Sequence, residues 1–427
     1  MFVVKSTQTK DETWKIIKYD GREISIEIGS EEQELRCVYA KLNKIIIPKN
    51  NILTKLAITD STISLVEWNL LRDLTELDIS GSHIKLGNGL ILLKRLIATD
   101  SWVESLPNDL FNLEYLDCSH AHALRELPPG LDNLKVLVCK NTKIKTVSLT
   151  NLLSINCSFS DVRAIDCPNI RILICSECRN INVLQEYKYL KHLACYRTNI
   201  NHLSEYKNLR FLDCSYTKIV TLPNYPKLRK LKCFQPISEL PRCRYLKYLE
   251  ISSKKIKYVP HYKYLKHLDC EGVNICTIPE FKYLTYLVLN KTKVKVLPIL
   301  SSLKFIECSK TMIEEIPYIK LLEHINANNS KLKKIPIMLE NLKILYIEET
   351  RVPKLHYFFP KLVEFRNKDF CVVSRHLQYY NDIYCPEIAP LYVQFLYVYR
   401  VFIQKFPMDI VRQLVTDIYK FQFSTLL

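Results

Sequence analysis

A fixed frame of apolar residues recurs along most of this chain at intervals of about 19 residues. Its clearest copies read LRFLDCSYTKIVTLP, LKHLDCEGVNICTIP, LTYLVLNKTKVKVLP and LKFIECSKTMIEEIP, and they begin at Leu209, Leu265, Leu284 and Leu303. The shared pattern is L-x-x-L-x-C/L-x-x-T/S-x-I-x-x-L/I-P, and its first position falls at residues 53, 74, 93, 113, 134, 152, 170, 190, 209, 228, 246, 265, 284, 303, 322 and 342. Because one such unit cannot bury its own apolar face, the chain is predicted to stack its units into a solenoid.

The positions inside each unit predict a short strand. Leu or Ile fills the fourth position of all sixteen units, and Cys, Ile or Leu fills the sixth in most of them. Side chains two apart share one face of a strand, so neighbouring units are expected to stack in parallel about 4.8 Å apart. A unit this short leaves no room for a full helix on its return side, and the proline that ends nine units favours an extended path there.

The frame resembles the leucine-rich repeat, L-x-x-L-x-L-x-x-N/C-x-L, over residues 35–366. Its short period and terminal L/I-P are similar to the LPX-type repeats of bacterial effectors and to repeats in large DNA viruses. The resemblance implies an α/β-type repeat solenoid of about 18 units, a short-period horseshoe with a parallel sheet on its concave face. It also implies a non-enzymatic scaffold that binds proteins. A viral or effector protein that acts on host proteins would be one such scaffold.

The consensus asparagine of this repeat is replaced in nearly every unit. A degenerate first copy at Leu35 is assigned Asn43 at this position, whereas later units carry Ser, Thr or Cys, as at Thr217. A short hydroxyl still bonds to the turning backbone, so the side-chain ladder is predicted to be weaker than one of asparagines. A last degenerate copy begins at Leu362.

The two ends of the chain depart from the frame and are predicted to cap the solenoid. Residues 1–34 alternate in hydrophobicity around Asp20-Gly21, which predicts a β-hairpin with strands near Trp14–Tyr19 and Ile24–Ile28. Residues 367–427 show helical spacing at about 388–405 and 408–421, which predicts a helical C-terminal cap.

The C-terminal segment also resembles the opening of an F-box, in the shortened form of the PRANC tails of poxviral ankyrin proteins. The residues that match are Pro407, Asp409, Ile410, Leu414 and Ile418, with Phe406 in place of the usual leucine. The resemblance implies a substrate receptor for a cullin ubiquitin ligase, with Pro407, Ile410, Leu414 and Ile418 as candidate adaptor-binding residues. The alternative is an amphipathic helix that only covers the last coil.

Side chains next to the inward positions should point away from the concave sheet. Their third positions carry aromatic rings and their fifth positions carry carboxylates: Tyr115, His192, Phe211, Tyr248, His267, Tyr286, Phe305 and His324, then Asp213, Glu250, Asp269 and Glu307. Exposed aromatics flanked by charges favour a protein-binding surface. The alternative is that opposite charges only pair across coils. No nucleophile accompanies the His and Asp residues, so catalysis is not expected.

The charge of the chain is concentrated in the second part of the repeat region. The net charge is +17, and residues 151–366 carry 36 Lys and Arg against 19 Asp and Glu. This excess favours an acidic protein partner. Nucleic acid remains an alternative because basic and aromatic residues are interleaved, but the carboxylates along the strands argue against it.

Cysteine and glycine usage exclude several classes of function. Nine of the sixteen cysteines share the sixth position, which predicts buried packing thiols: Cys118, Cys139, Cys157, Cys175, Cys195, Cys214, Cys233, Cys270 and Cys308. The weaker alternative is zinc bound near Cys175-x-x-Cys178. With only 7 glycines the chain has no nucleotide-binding glycine loop, and no cofactor is expected. No signal peptide or membrane span is recognised, so we expect an intracellular monomer with reduced thiols.

Overall fold

The computed structural model describes residues 3–8, 11–15, 25–27, 33–336, 339–352, 359, 361–366 and 371–373. Its strands are β1 Val3–Gln8, β2 Asp11–Lys15, β3 Ser25–Glu27, β4 Glu34–Val38, β5 Lys41–Ile46, β6 Lys55–Thr59, β7 Thr62–Val66, β8 Glu76–Asp78, β9 Arg95–Ile97, β10 Tyr115–Asp117, β11 Val136–Val138, β12 Thr146–Ser148, β13 Ser154–Asn156, β14 Ala164–Asp166, β15 Ile172–Ile174, β16 His192–Ala194, β17 Phe211–Asp213, β18 Lys230–Cys233, β19 Tyr248–Ile251, β20 His267–Asp269, β21 Tyr286–Val288, β22 Phe305–Glu307, β23 His324–Asn326, β24 Ile344–Tyr346, β25 Glu364–Arg366 and β26 Cys371–Val373.

One strand per repeat unit forms a continuous parallel sheet, as the frame predicts. Fourth-position residues pair directly with one another, so Leu212 lies between Leu193 and Leu231. The same register runs from Leu35 in β4 to Phe365 in β25. Fourth-position side chains from Leu56 to Leu345 are fully or almost fully buried, which confirms the predicted parallel solenoid.

The first coil corrects the register assigned to Leu35. Leu35 pairs with Leu56, a fourth-position residue, and therefore fills the fourth position of its unit instead of the first. Ala40, and not Asn43, then occupies the ninth position, where its amide donates to Oγ of Ser61 at 2.9 Å. Asn43 is exposed on the return side, so the repeat has no consensus asparagine there.

The N-terminal strands pair differently from the predicted hairpin. The antiparallel hairpin joins β1 to β2, and β1 also pairs with β4 at the edge of the main sheet. Residues Ser25–Glu27, predicted as the returning hairpin strand, pair in parallel with β5 instead. The predicted turn at Asp20-Gly21 and the helical segments at 388–405 and 408–421 lie outside the described residues.

The return side of the solenoid is extended, as expected for such short units. The described residues contain one short helix, a 3-10 turn at Trp68–Leu70. Two small parallel sheets lie on this side, one of β3, β5 and β7 and the other of β12 and β14. Among the described residues no helix has the length and hydrophobicity needed to cross a bilayer.

In most units the strand is followed by a turn that contains one left-handed residue, at the eighth position. Its φ is 51° in Arg197, 57° in Tyr216 and 66° in Gly81. The amide of this residue commonly donates to the next coil, as Arg197 N does to Ser215 O at 2.9 Å. The ninth-position hydroxyl then bonds within its own coil, as Thr217 Oγ1 does to Cys214 O at 2.7 Å. The predicted asparagine-like ladder is thus mostly a set of bonds inside single coils.

Two adjacent coils, which begin at Leu228 and Leu246, lack this left-handed residue. In the first of them the sequence after Cys233 is Phe-Gln-Pro-Ile, one residue shorter than the usual C-x-x-T-x-I. Gln235 takes the buried ninth position and donates to Sγ of Cys214 at 3.2 Å. Consequently the amide of Tyr216 does not donate to the carbonyl of Phe234 in the next coil, although both coils lie wholly within the described residues.

Buried tyrosines add a further link on the convex half of the core. Tyr187, Tyr206, Tyr225 and Tyr262 stand three residues before the first position and are almost fully buried. Each hydroxyl donates to a carbonyl of a preceding coil, as Tyr187 does to Ile165 O at 2.9 Å. A buried tyrosine needs such a partner, so these residues both fill the core and bond one coil to another.

Candidate functional site

The third-position side chains form a column of stacked rings on the concave face. In β19 to β23 the rings of Tyr248, His267, Tyr286, Phe305 and His324 lie face to face, with centroids 3.9 to 4.2 Å apart and planes 4° to 15° apart. This spacing follows from the parallel register, which places every third-position residue directly beside the next. The five rings, together with Phe211 and His192, are called the aromatic stripe below.

Lys230 joins the two parts of the aromatic stripe. His192 and Phe211 stack at 4.0 Å, and Lys230 holds the third position between Phe211 and Tyr248. Its ammonium group lies 3.9 Å from the centroid of the Tyr248 ring and 5.8 Å from that of Phe211. A cation over two ring faces continues the column where a ring is missing.

Tyr115 belongs to the same face but not to the aromatic stripe. Its ring lies under the guanidinium of Arg95, with Cζ 3.9 Å from the ring centroid. The three following coils carry Val136, Ser154 and Ile172 at the third position, so no ring connects Tyr115 with His192. The sequence pattern placed Tyr115 with the other third-position rings, whereas the structure separates it from them.

The fifth-position carboxylates have structural tasks as well as exposed surfaces. Asp213 and Asp269 each accept the amide of the residue two positions later, at 3.1 Å from Ser215 and 3.0 Å from Glu271. Glu307 accepts Nδ2 of Asn290 at 2.9 Å. These bonds hold the turn after each strand, and this explains part of the acidic pattern without any partner.

Glu250 stands at the centre of the densest polar cluster on this face. It bonds Nζ of Lys232 at 2.7 Å and accepts the hydroxyl of Tyr248. Burial works to raise the pKa of Glu250, but hydrogen bonds from Lys232 and Tyr248 lower it below its usual value. Glu250 is therefore ionised at neutral pH, and its charge is largely used inside the protein.

Burial favours the uncharged forms of the other ionisable groups in and beside the aromatic stripe. It lowers the pKa of His267 from 6.5 to about 4, despite the nearby Glu250. Burial likewise lowers the pKa values of His192 and His324 and raises the pKa of Asp269. The stripe is thus an uncharged, mainly aromatic surface at neutral pH, with His267 Nε2 lacking a hydrogen-bond partner among the described residues.

Cross-coil ion pairs occur where the charge-pairing alternative expects them. Second-position residues pair along the sheet, as Lys135 does with Glu114 at 2.6 Å and Lys343 with Glu323 at 2.6 Å. Glu323 also contacts Lys304 at 3.3 Å. Exposed pairs of this type contribute little to stability, but they neutralise charge locally.

The sixth-position cysteines are buried side by side in the core. All nine have no exposed surface and are free thiols. Cys178 donates to Cys157 O at 2.8 Å, and the two sulfur atoms are 3.9 Å apart. No group of three or more His, Cys, Asp or Glu in the described ranges is arranged to hold a metal ion. The column therefore packs as small apolar side chains do.

A second candidate surface, which was not predicted from the sequence, lies at the edge where the chain enters the sheet. Here Tyr189, Tyr245, Tyr264 and Tyr283 directly precede the first-position leucines. We define the tyrosine–lysine ridge as these four tyrosines and the cations around them: Lys188, Lys191, Lys207, Arg210, Lys227, Arg229, Arg244, Lys247, Lys263, Lys266 and Lys282. The recurring K/R-Y-L triplet was the signal in the sequence.

Rings and cations of the ridge contact one another along the solenoid. Tyr264 stacks between Tyr245 and Tyr283, with centroids 6.2 and 6.4 Å away. The cation before each tyrosine lies over its ring, as Lys263 does at 5.5 Å from the Tyr264 centroid. The candidate adaptor residues Pro407, Ile410, Leu414 and Ile418 lie outside the described residues.

The described coils define a leucine-rich-repeat solenoid, and comparisons with solved structures agree. YopM from Yersinia enterocolitica WA-314 matches with a TM-score of 0.56 and 18 % identity, covering 77 % of this chain and 85 % of that chain. The functional domain of InlJ from Listeria monocytogenes, which includes a cysteine ladder, matches with a TM-score of 0.57 and 22 % identity, covering 73 % of this chain and 72 % of that one. No protein-family model and no curated protein sequence matches the chain.

Proposed function

We propose that this protein is a non-enzymatic scaffold that binds a protein partner through the aromatic stripe on its concave face. The observation that carries the proposal is the unbroken stack from Tyr248 to His324. Its rings are only half-buried, so they present apolar area that folding alone leaves in contact with water. Aromatic residues supply much of the binding energy at protein interfaces, because they bury large area at low conformational cost.

The stripe is also preorganised for binding. Each ring is held between two neighbours about 4 Å away, so little side-chain freedom remains to be lost when a partner binds. The parallel sheet beneath fixes the spacing, and the coils are rigidly stacked through their buried leucines. Fixed, uncharged rings favour a partner that supplies apolar side chains to the centre of the stripe.

We also propose a charge for the partner and a location for the protein. The net charge of +17 favours an acidic partner protein, and the basic excess lies in the same coils as the stripe. The buried free thiols, from Cys118 to Cys308, suit a reducing compartment, so we propose that the protein acts inside a cell. We propose separately that it is a monomer. The LPX-like repeats favour a host protein as the target of a viral or bacterial effector.

Two other functions rest on sequence features alone. A role as substrate receptor of a cullin ligase depends on Pro407, Ile410, Leu414 and Ile418, and a nucleic-acid-binding role depends on the basic excess. The stripe favours neither, since its rings are already stacked on one another and leave few open faces for bases.

The test compares partner capture by three forms of the full chain. The stripe variant carries Tyr286→Lys and Phe305→Lys, which break the centre of the stack. The control carries Val296→Lys on the return side, where the side chain is 74 % exposed. Proteins cross-linked to the wild type in cells, identified by mass spectrometry, should be lost with the stripe variant and kept with the control.

Circular dichroism and thermal melts establish that both variants remain folded. A partner set that is the same for the wild type and for a folded stripe variant would contradict the proposal. Loss with the Val296→Lys control alone would move the binding surface to the return side.

A further inference from the structure

The tyrosine–lysine ridge concentrates positive charge that the fold does not neutralise. Its second-position cations Lys191, Arg210, Arg229, Lys247 and Lys266 follow one another in consecutive coils. In the described part of the chain no carboxylate lies within 4.0 Å of any ridge cation, although the same column is ion-paired on both sides of this segment. Like charges in adjacent strands destabilise a sheet. Folding therefore does not explain this run of cations.

The ridge tyrosines also replace a residue that the fold uses elsewhere. In six other coils the position before the first leucine is asparagine, and its Nδ2 donates to a carbonyl of the preceding coil. Such bonds are made by Asn112, Asn133, Asn151, Asn169, Asn208 and Asn341 at distances of 2.7 to 3.1 Å. Tyr189, Tyr245, Tyr264 and Tyr283 make no such bond among the described residues.

These tyrosines do not compensate by burial. Tyr245 is 42 % exposed and Tyr283 is 41 % exposed, in contrast to the almost fully buried Tyr262 two residues before Tyr264. A coil-to-coil hydrogen bond has been exchanged for an exposed ring in the same stretch where the cations are unpaired. The two departures coincide in space, which points to a bound anionic partner instead of a structural role.

The geometry of the ridge distinguishes between acidic peptide and nucleic acid. A base inserted between two rings needs roughly 7 Å, twice the van der Waals thickness of about 3.5 Å, whereas the ridge rings stand 6.2 and 6.4 Å apart. Their faces are further covered by their own cations, as in Arg244 over Tyr245. What the ridge offers outward is ammonium groups and phenol hydroxyls, which donate to carboxylates.

The repeat of the ridge also suits an extended chain. Alternate side chains of a strand lie roughly 6.6 Å apart on one face, since each residue rises about 3.3 Å. This is close to the 6.2 and 6.4 Å between successive tyrosines. In the three consecutive coils of Tyr245, Tyr264 and Tyr283, one acidic residue in every two would thus meet one ring and its cations per coil.

We propose that the tyrosine–lysine ridge binds an extended acidic segment of a partner protein, with carboxylates at alternate positions. The inference rests on the proposed role of the chain in protein binding but concerns a different surface from the aromatic stripe. The acidic segment lies along the solenoid at the entry edge of the sheet and spans coils that begin between Leu190 and Leu284. Each carboxylate accepts from a Lys or Arg, and in the four coils that carry a ridge tyrosine it also accepts from the hydroxyl of that tyrosine.

The test uses a labelled peptide of about ten residues that alternates Glu and Ser, long enough to span the ridge at about 3.3 Å per residue. Fluorescence anisotropy measures its binding to the full chain. Tyr245→Asn, Tyr264→Asn and Tyr283→Asn are combined, since asparagine is the residue that six other coils carry here. This triple variant should stay folded and bind about tenfold more weakly.

A pair of charge variants separates site binding from general attraction. Lys247→Gln with Lys266→Gln removes two ridge cations, whereas Lys254→Gln with Lys255→Gln removes two exposed lysines elsewhere. The first pair should weaken binding about tenfold and the second less than about twofold. Equal losses in both pairs would overturn the proposal, because a diffuse positive field would then explain the binding.

Two further outcomes would also overturn it. One is a wild type that does not bind the alternating peptide at low ionic strength. The other is a single-stranded oligothymidylate of equal charge that binds more tightly and loses affinity in the tyrosine variant, which would make nucleic acid the occupant. Neither outcome affects the aromatic stripe, whose partner capture is measured with Tyr286→Lys and Phe305→Lys.

Discussion

His267 lies flat against Tyr248, with the two ring centroids 3.9 Å apart and the planes 8° apart. Tyr286 covers the opposite face of His267 at 4.2 Å, so the imidazole is enclosed between two phenol rings. This position explains why the pKa of His267 is lowered to about 4. A residue that the sequence placed among the exposed rings of a binding surface is, in the structure, a neutral member of a ring stack.

Acid should therefore destabilise the protein through His267. Its folded pKa of about 4 is below the unfolded value of 6.5, so the unfolded state binds a proton that the folded state refuses. The stabilisation is complete above pH 6.5 and is lost as the pH falls to about 4. His267→Phe keeps the ring but cannot titrate, so its melting temperature should fall less across this window, by on the order of 2 °C.

Thermal melts between pH 7 and pH 4 measure the effect of His267→Phe. His202→Gln at an exposed position is the control and should follow the wild type. Parallel curves for His267→Phe and the wild type would show that the imidazole titrates freely and is not enclosed.

The cysteine column predicts a strong dependence on buried charge. Cys214 is fully buried, and Cys214→Asp would place a carboxylate between coils without a cationic partner. We expect a loss of about 4 kcal/mol or more in the free energy of unfolding. The exposed Lys218→Ala should change it by less than about 0.5 kcal/mol. Cys214→Val should melt between Cys214→Asp and the wild type, because it adds no charge but removes the acceptor of the Gln235 amide. Similar melts for all three variants would invalidate the register.

Alkaline conditions should unfold the protein by ionising the same column. Burial raises the pKa of Cys308 from 9.0 to about 12 and raises the pKa values of Cys118 and Cys139 as well. A raised folded pKa means that stability is intact below pH 9 and is lost as the pH rises towards 12. Melting temperature measured from pH 8 to pH 11 should therefore decrease.

Thiol labelling at pH 8 provides an independent readout of the alkaline prediction. Cys276 is exposed and should react with a thiol reagent in the native protein, whereas Cys308 and its column should react only on unfolding. Rapid native labelling of the column, or stoichiometric zinc in the purified protein, would contradict the packing role.

The register of the fold was readable because leucine and cysteine recur at two fixed positions. Leu212 and Cys214 are two apart, as one face of a strand requires, and Leu193 and Leu231 repeat this at a nearly constant interval. The first coil was misassigned for the same reason. Leu35 and Cys37 are also two apart and match the fourth and sixth positions, but the first position holds the polar Glu32 and gives no signal.

The candidate surfaces were only partly predictable. The parallel register places the third-position residues side by side, but sequence does not show that Lys230 bridges two ring stacks or that Tyr115 stands apart with Arg95. The ridge was not predicted because it is recognised only when equivalent positions of different coils are compared in the structure. Tyr264 is notable only once Asn208 and Asn341 are seen to bond across coils at the equivalent position.

The one-residue deletion after Cys233 has a consequence for how the solenoid unfolds. A stack in which each coil contacts only its neighbours has the cooperativity of a linear chain of couplings, and the weakest coupling limits it. Around the deletion, the amides of Tyr216, Gln235 and Ser253 do not donate to a carbonyl of the next coil, whereas the amides of Arg197 and Lys291 do. Hydrogen exchange should therefore resolve two cooperative blocks that meet at these coils, each able to open while the other stays closed.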